Sequence, residues 1–244
     1  VALDHPPLAA RMASMGTLTL IRHGQASFGA ADYDQLSEIG QEQSQRLGAY
    51  LGHKNVHADV VYRGSLKRHA QTWMGMQEGL ALTLGASYQA AVATVNPALD
   101  EYDGEALINA VKTDALGHSK GAEAYKQHFR LLRDALGLWM HGQISPEGMP
   151  TYALFKSQLL DVMQHICDTH QGQNVWVVSS GGPISTVVGH VLRAPPESSI
   201  ELNYQINNTA LTRFKITSKG LRLAGFNSLP HLDNADDGRL LTFA

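Results

Sequence analysis

The residues best suited to chemistry stand at three junctions. At the first, Arg22-His23-Gly24-Gln25 follows directly on the β-branched run Thr17-Leu18-Thr19-Leu20-Ile21. A neutral imidazole is a competent nucleophile. An arginine beside it offers a planar fork that binds phosphate oxygens in pairs and stays charged at any working pH. A glycine after them lets the backbone approach an anion closely. The second junction is Ser180-Gly181-Gly182-Pro183, which follows the most apolar short run of the chain, Asn174 to Ser179. The third is the turn around Glu101, where Asp100 and Asp103 stand close enough to compete for any acid–base role. Together they suit phosphoryl transfer. A bare Arg-His-Gly triplet is also compatible with an ordinary turn.

These junctions need a scaffold that brings them to one place. Strand-like and helix-like patterns alternate, which predicts an α/β fold. Strands are expected at 17–21, 59–62, 88–95 and 174–179, and a hairpin over Thr209–Ile216 and Leu221–Phe226 around Ser218-Lys219-Gly220. Helices are expected at 36–53, starting near Ser37 and Glu38, at 66–80, at 151–170, and from Gly181 onward. In open α/β sheets ligands bind beyond the carboxyl ends of the strands, so residues 22–25 and 180–183 should face one crevice. A less hydrophobic helical stretch, about 105–150, is expected to be an insertion in a single domain spanning 15–244. Residues 1–14 read as an N-terminal tail or expression remnant, and Pro230-His231-Leu232 as a tail folded back on the domain.

Composition excludes several function classes. The 244 residues are 43% hydrophobic and 17% charged, with net charge −3, so no broad nucleic-acid or acidic-membrane surface is implied. No apolar run is long enough for a membrane span and no leader pattern is visible, which points to the cytoplasm. The single cysteine, Cys167, cannot form an intramolecular disulfide. Twelve histidines are present, but without metal-ligand spacing, so no metal site is expected.

Four segments in order resemble the histidine phosphatase superfamily, which includes the cofactor-dependent phosphoglycerate mutases. They are Leu20-Ile21-Arg22-His23-Gly24-Gln25; Gly64 to Thr72, with Arg68; Leu99-Asp100-Glu101-Tyr102-Asp103-Gly104; and Val177 to Pro183. The resemblance covers residues 17 to about 226. It implies a three-layer α/β/α sandwich around a mixed, mostly parallel sheet, and hydrolysis of phosphate monoesters through phospho-His23. Arg22 and Arg68 would hold the phosphoryl oxygens, and Glu101 would be the acid and base. Gly24, Gln25, Ser27, Ser180 and Gly181 would complete the binding site. It implies no metal or organic cofactor. The expected partner is a small phosphorylated substrate or a phosphoprotein, not nucleic acid or membrane; a homodimer stays open.

The chain departs from that pattern in two places. The family has a second histidine before the glycine of the closing loop, where this chain has Ser180. A hydroxyl donates one hydrogen bond but supplies no charge. Losing one charge-assisted donor costs on the order of 2–4 kcal/mol in the transition state. Another imidazole could fill the gap: His69 follows Arg68 directly, whereas His190 lies two turns along its helix. After the signature, Ala26 and Gly29 stand where the mutases have phosphate donors, which counts against mutase activity. The alternatives are therefore a weak or inactive phospho-ligand binder and, less favoured, a mutase.

Overall fold

A computed structural model describes residues 15–27, 34–85, 88–111, 122–233 and 235–243. The expected tail, residues 1–14, and Gly29 lie outside them. Six strands form one sheet, β1 (Thr17–Arg22), β2 (Val60–Arg63), β3 (Thr94–Val95), β4 (Asn174–Ser179), β5 (Leu211–Thr217) and β6 (Gly220–Ser228), in the order β3-β2-β4-β1-β5-β6. β3, β2, β4 and β1 run parallel, and β5 and β6 are antiparallel additions beside β1. The sheet is mixed and mostly parallel.

The helices are α1 (Glu38–His53), α2 (Lys67–Leu84), α3 (Gly104–Val111), α4 (Ala122–Met140), α5 (Tyr152–Thr169), α6 (Gly181–Leu192) and α7 (Pro196–Gln205). Strand alternation sorts the core into two layers. Leu18, Leu20, Val175 and Val177 face Leu159, Val162 and Ile166 of α5 and Ile184 and Val187 of α6. Their neighbours Ile21, Trp176 and Val178 turn to the other face, against Leu47 and Leu51 of α1 and Trp73, Met76 and Leu80 of α2. Each fully buried Leu, Ile or Val side chain contributes about 1.5–3 kcal/mol, so a one-residue slip of β1 or β4 would forfeit a whole row of them.

Helix boundaries follow capping chemistry. Ser37 caps α1 by accepting from the Gly40 N–H at 3.1 Å, and Thr151 caps α5 by accepting from Leu154 N–H. Where the reading of the chain differs, the reason is physical. The strand expected over 88–95 is ordered as a ladder only at Thr94–Val95, because β3 is the sheet edge and pairs only with Tyr62 and Arg63. Tyr88, Ala91 and Ala93 instead pack against the α1–α2 layer. α7 was not anticipated; its buried residues are Ser199 and Ile200, too few to show a helical apolar stripe. The helical stretch near 105–150 supplies α3 and α4, whose Leu107, Ala135, Leu136 and Trp139 build a third apolar cluster with Tyr152, Phe155 and Ile200. His231 and Leu232 are buried, and Gln43 donates to the Leu240 carbonyl at 2.7 Å, so the C-terminal segment folds back onto the domain.

Candidate active site

β1 and β4 end side by side, in register from Thr17↔Asn174 to Arg22↔Ser179. His23 N–H then donates to the Ser179 carbonyl at 2.9 Å, which sets His23 beside Ser180. The turn is braced from behind. The His23 carbonyl accepts from Asn208 Nδ2 at 3.1 Å, and Thr209 N–H donates to the Arg22 carbonyl at 3.0 Å. Thr209 holds φ +58, an unfavourable region for a β-branched residue. That strain is offset by its hydroxyl, which bonds the Asn208 carbonyl and meets His231 Nε2 at 2.9 Å.

His23 is 5% exposed. Its Nδ1 lies 2.7 Å from the Gly24 carbonyl, and a carbonyl can only accept, so the proton belongs on Nδ1. The lone pair is therefore on Nε2. Burial, together with the charges of Arg68 and Arg22 and the nearby His69, pushes the imidazole well below its ordinary pKa. That shift favours the neutral ring.

Arg22 donates to the Ile206 carbonyl. Arg68, in the first turn of α2, is held by Asp34 at 2.8 Å and is nearly buried. Asp34 also accepts from Lys67 N–H at 2.8 Å, so one carboxylate fixes both the start of α2 and the guanidinium. Glu101 comes from the turn before α3; its Oε2 accepts from Gly182 N–H at 3.1 Å. Its Oε1 is buried and makes no hydrogen bond among the described residues. Burial raises its pKa, against the opposing pull of the Gly182 N–H, Arg68 and Arg22. The structure thus gathers Arg22, His23, Arg68, Glu101, Ser180 and Gly181 at the carboxyl end of the sheet.

Other expected binding residues are committed differently. Gly24 N–H donates to Thr72 Oγ1 at 3.0 Å and Gln25 N–H to Gln43 Oε1 at 2.9 Å, so neither amide points at a ligand. Gln25 Oε1 accepts from Ser37 Oγ at 2.8 Å. Ser27 N–H donates to the Gln35 carbonyl at 2.8 Å. The role of Gly24 is spatial: an added Cβ would lie 2.4 Å from the Gly40 carbonyl oxygen, so α1 packs directly on the turn. His190 is exposed in the last turn of α6, about 13 Å along the helix from Gly181. Sequence reasoning missed Asp34, Asn208 and Thr209. Nothing in their local patterns marks them, because each acts on a residue far away in the chain.

Gly182 offers a direct trial. A Cβ there would stand 2.1 Å from Glu101 Oε1 and 2.4 Å from Tyr102 Cε1. Gly182→Ala should displace the carboxyl group by roughly an ångström and lower kcat about 10²-fold on alkyl phosphates, while circular dichroism stays unchanged. Unchanged kcat would mean that Glu101 need not stand where it does.

A mixed, mostly parallel sheet covered on both faces thus carries a histidine and two arginines at its open end, a set of groups suited to a phosphoryl group. The profile of the histidine phosphatase superfamily, branch 1, matches residues 18–229, and the chain belongs to that superfamily. No curated protein matches it by sequence. Solved structures share the fold. A phosphoserine phosphatase (H9A mutant) from Entamoeba histolytica is 19% identical with TM-score 0.60, covering 89% of this chain and 100% of that one. The alpha-ribazole phosphatase from Shigella flexneri is 21% identical with TM-score 0.60, covering 87% and 96%. A mycobacterial glucosyl-3-phosphoglycerate phosphatase is 17% identical with TM-score 0.59, covering 87% and 98%. Among the described residues, no helix is long and apolar enough to cross a membrane.

Proposed function

We propose that the protein hydrolyses phosphate monoesters of small organic alcohols in two steps through a phosphohistidine on His23. The observation that carries this reading is the Nδ1 contact to the Gly24 carbonyl in a site that also lowers the imidazole pKa. It supports a free, neutral Nε2 facing two arginines.

In the first step the Nε2 lone pair attacks phosphorus, the N–P bond forms and the P–O ester bond breaks. Glu101, protonated, gives its proton to the departing alkoxide. Arg22 and Arg68 neutralise the equatorial oxygens. In the second step Glu101 takes a proton from water, the water oxygen attacks phosphorus, and the N–P bond breaks. Phosphate leaves, His23 regains its lone pair and Glu101 its proton.

The two pKa directions fit this sequence. The reactive form needs His23 neutral and Glu101 protonated, which the ordinary values of these groups would make a minority state. Lowering the histidine and raising the glutamate opens a pH window for it. kcat/KM should therefore fall on the acid side as His23 gains a proton, and on the alkaline side as Glu101 loses one. The optimum is expected at or below neutrality.

Release of phosphate from p-nitrophenyl phosphate and from O-phosphoserine tests the reading. Turnover of at least one is expected; no turnover of either by folded protein would overturn it. Glu101→Gln sharpens the assignment. It should lower kcat about 10²–10⁴-fold on alkyl phosphates. The effect on the first step with p-nitrophenyl phosphate should be far smaller, since that leaving group needs no proton. Equal losses on both would remove Glu101 as the acid.

A further inference from the structure

A second buried imidazole stands beside the first. His69 follows Arg68 on α2, is fully buried, and its ring centroid lies 5.7 Å from that of His23. Its Nε2 is 2.7 Å from Ser180 Oγ, across 111 residues of chain. Ser180 is itself fully buried and caps the start of α6 without a side-chain capping bond, so this contact with His69 is the partner found for its hydroxyl. On the other side of the ring, His69 Nδ1 lies 3.5 Å from Asp100 Oδ1. Asp100 is fixed in turn: its Oδ1 accepts from Ser65 N–H at 2.6 Å, and its Oδ2 from the Ser65 hydroxyl.

The chain has room for this row only because residue 64 is glycine. A Cβ on Gly64 would lie 2.2 Å from His69 Nδ1 and 2.3 Å from Asp100 Oδ1. A carboxylate, an imidazole and a hydroxyl are thus lined up, with the hydroxyl at the end of β4 beside His23.

Resting on the phosphohistidine reading, we propose that Asp100, His69 and Ser180 form a proton-coupled relay that supplies a third donor to the phosphoryl group. Before substrate binds, His69 is neutral and Ser180 O–H donates to Nε2. When a dianionic phosphoryl group enters, Nε2 takes a proton from solution and becomes the donor to Ser180 Oγ. The Ser180 O–H then turns to a phosphoryl oxygen, with Asp100 balancing the new imidazolium charge. One N–H bond forms, on Nε2 with a proton from solution, and no bond between heavy atoms changes. Ser180 touches the substrate; His69 and Asp100 are positioning residues that act through it.

The groups facing His69 fit both states. Arg68 on its own helix opposes the proton, Asp100 and Asp34 favour it, and the neutral His23, just after β1, faces the ring without adding charge. Burial and Arg68 outweigh Asp100 in the empty site and hold the imidazole below its ordinary pKa. An incoming dianion adds the attraction that reverses the balance.

Vanadate binding and p-nitrophenyl phosphate turnover should be measured on wild type, His69→Ala, Ser180→Ala, the double alanine variant, and His69→Ala/Ser180→His. Each single alanine change should weaken kcat/KM about 10²-fold. The double change should cost little more, because the two residues act as a unit. The swap should regain tenfold or more over His69→Ala, which a purely structural His69 would not permit. On wild type, histidine nitrogen NMR should show His69 protonating on vanadate binding, so the test stands even if a variant misfolds. Additive losses in the double variant, or a His69 that stays neutral with vanadate bound, would overturn the relay. If wild type shows no turnover, the phosphatase reading fails, and the vanadate and NMR arms still decide the relay.

Discussion

Replacing His23 by alanine should lower kcat on any phosphate monoester by about 10⁴-fold or more, with little change in thermal stability. The expectation follows from what the ring alone supplies. On the proposed mechanism it carries the lone pair that attacks phosphorus, whereas the neighbouring imidazole, His69, is fully buried with its Nε2 engaged by Ser180. Removing a covalent nucleophile leaves only the electrostatic part of catalysis, and losses of this size or greater are typical. Stability should hold because, among the described residues, the ring's hydrogen bond is to its own neighbour's carbonyl. The turn is fixed instead by main-chain bonds to Ser179 and Thr209 and by Asn208. A thermal melt and a steady-state assay read the two quantities separately. A variant that keeps a tenth of the activity would place the nucleophile elsewhere.

The second large effect belongs to the arginines. Arg22→Ala should lower kcat about 10³–10⁵-fold, the range for a guanidinium that stabilises a phosphoryl transition state. Arg68→Lys tests geometry rather than charge. A lysine keeps the positive charge but has no planar fork, so it can neither bind two phosphoryl oxygens nor keep the Asp34 contact in the same form. A drop of about 10²-fold or more is expected for it, with KM for the substrate rising as well. The two arginines also depress the His23 pKa. Removing either should therefore raise that pKa and move the acid limb of kcat/KM to higher pH. The sign is fixed, since less positive charge nearby makes protonation easier. A rate loss without that shift would mean that the guanidinium is remote from the imidazole.

The sheet and the main motifs were legible because both have local signatures. Val175, Trp176, Val177 and Val178 form an apolar run that only a doubly covered strand accommodates, and Arg22-His23-Gly24 follows another. Period-two burial and strand-to-helix turns are written in neighbouring residues. The region after α2 has the pattern of a longer strand, because its sequence does not encode that β2 offers only two partners at the edge. α7 has no local signature, because its first turn is Pro-Glu-Ser-Ser and it buries little apolar surface.

The site shows the same division. His23, Arg22 and Glu101 sit in recognisable segments. Ser180, where the resemblance implies a histidine, stands out in the sequence as a departure, and His69 as a spare imidazole. That one meets the other depends on how α2 packs against the end of β4. No pattern within either segment carries that information. The same holds for Asp34 on Arg68 and for Asn208 behind His23, pairs separated by 34 and 185 residues.

The proposed covalent step is tested most directly by mixing the protein with a phosphorus-labelled aryl phosphate, quenching within milliseconds, and mapping the label. Acid-labile, base-stable phosphate on the peptide containing residue 23, approaching one per chain and absent from His23→Ala, is the predicted result. Rapid turnover by wild type with no such label, under conditions where dephosphorylation is slowed, would contradict the account.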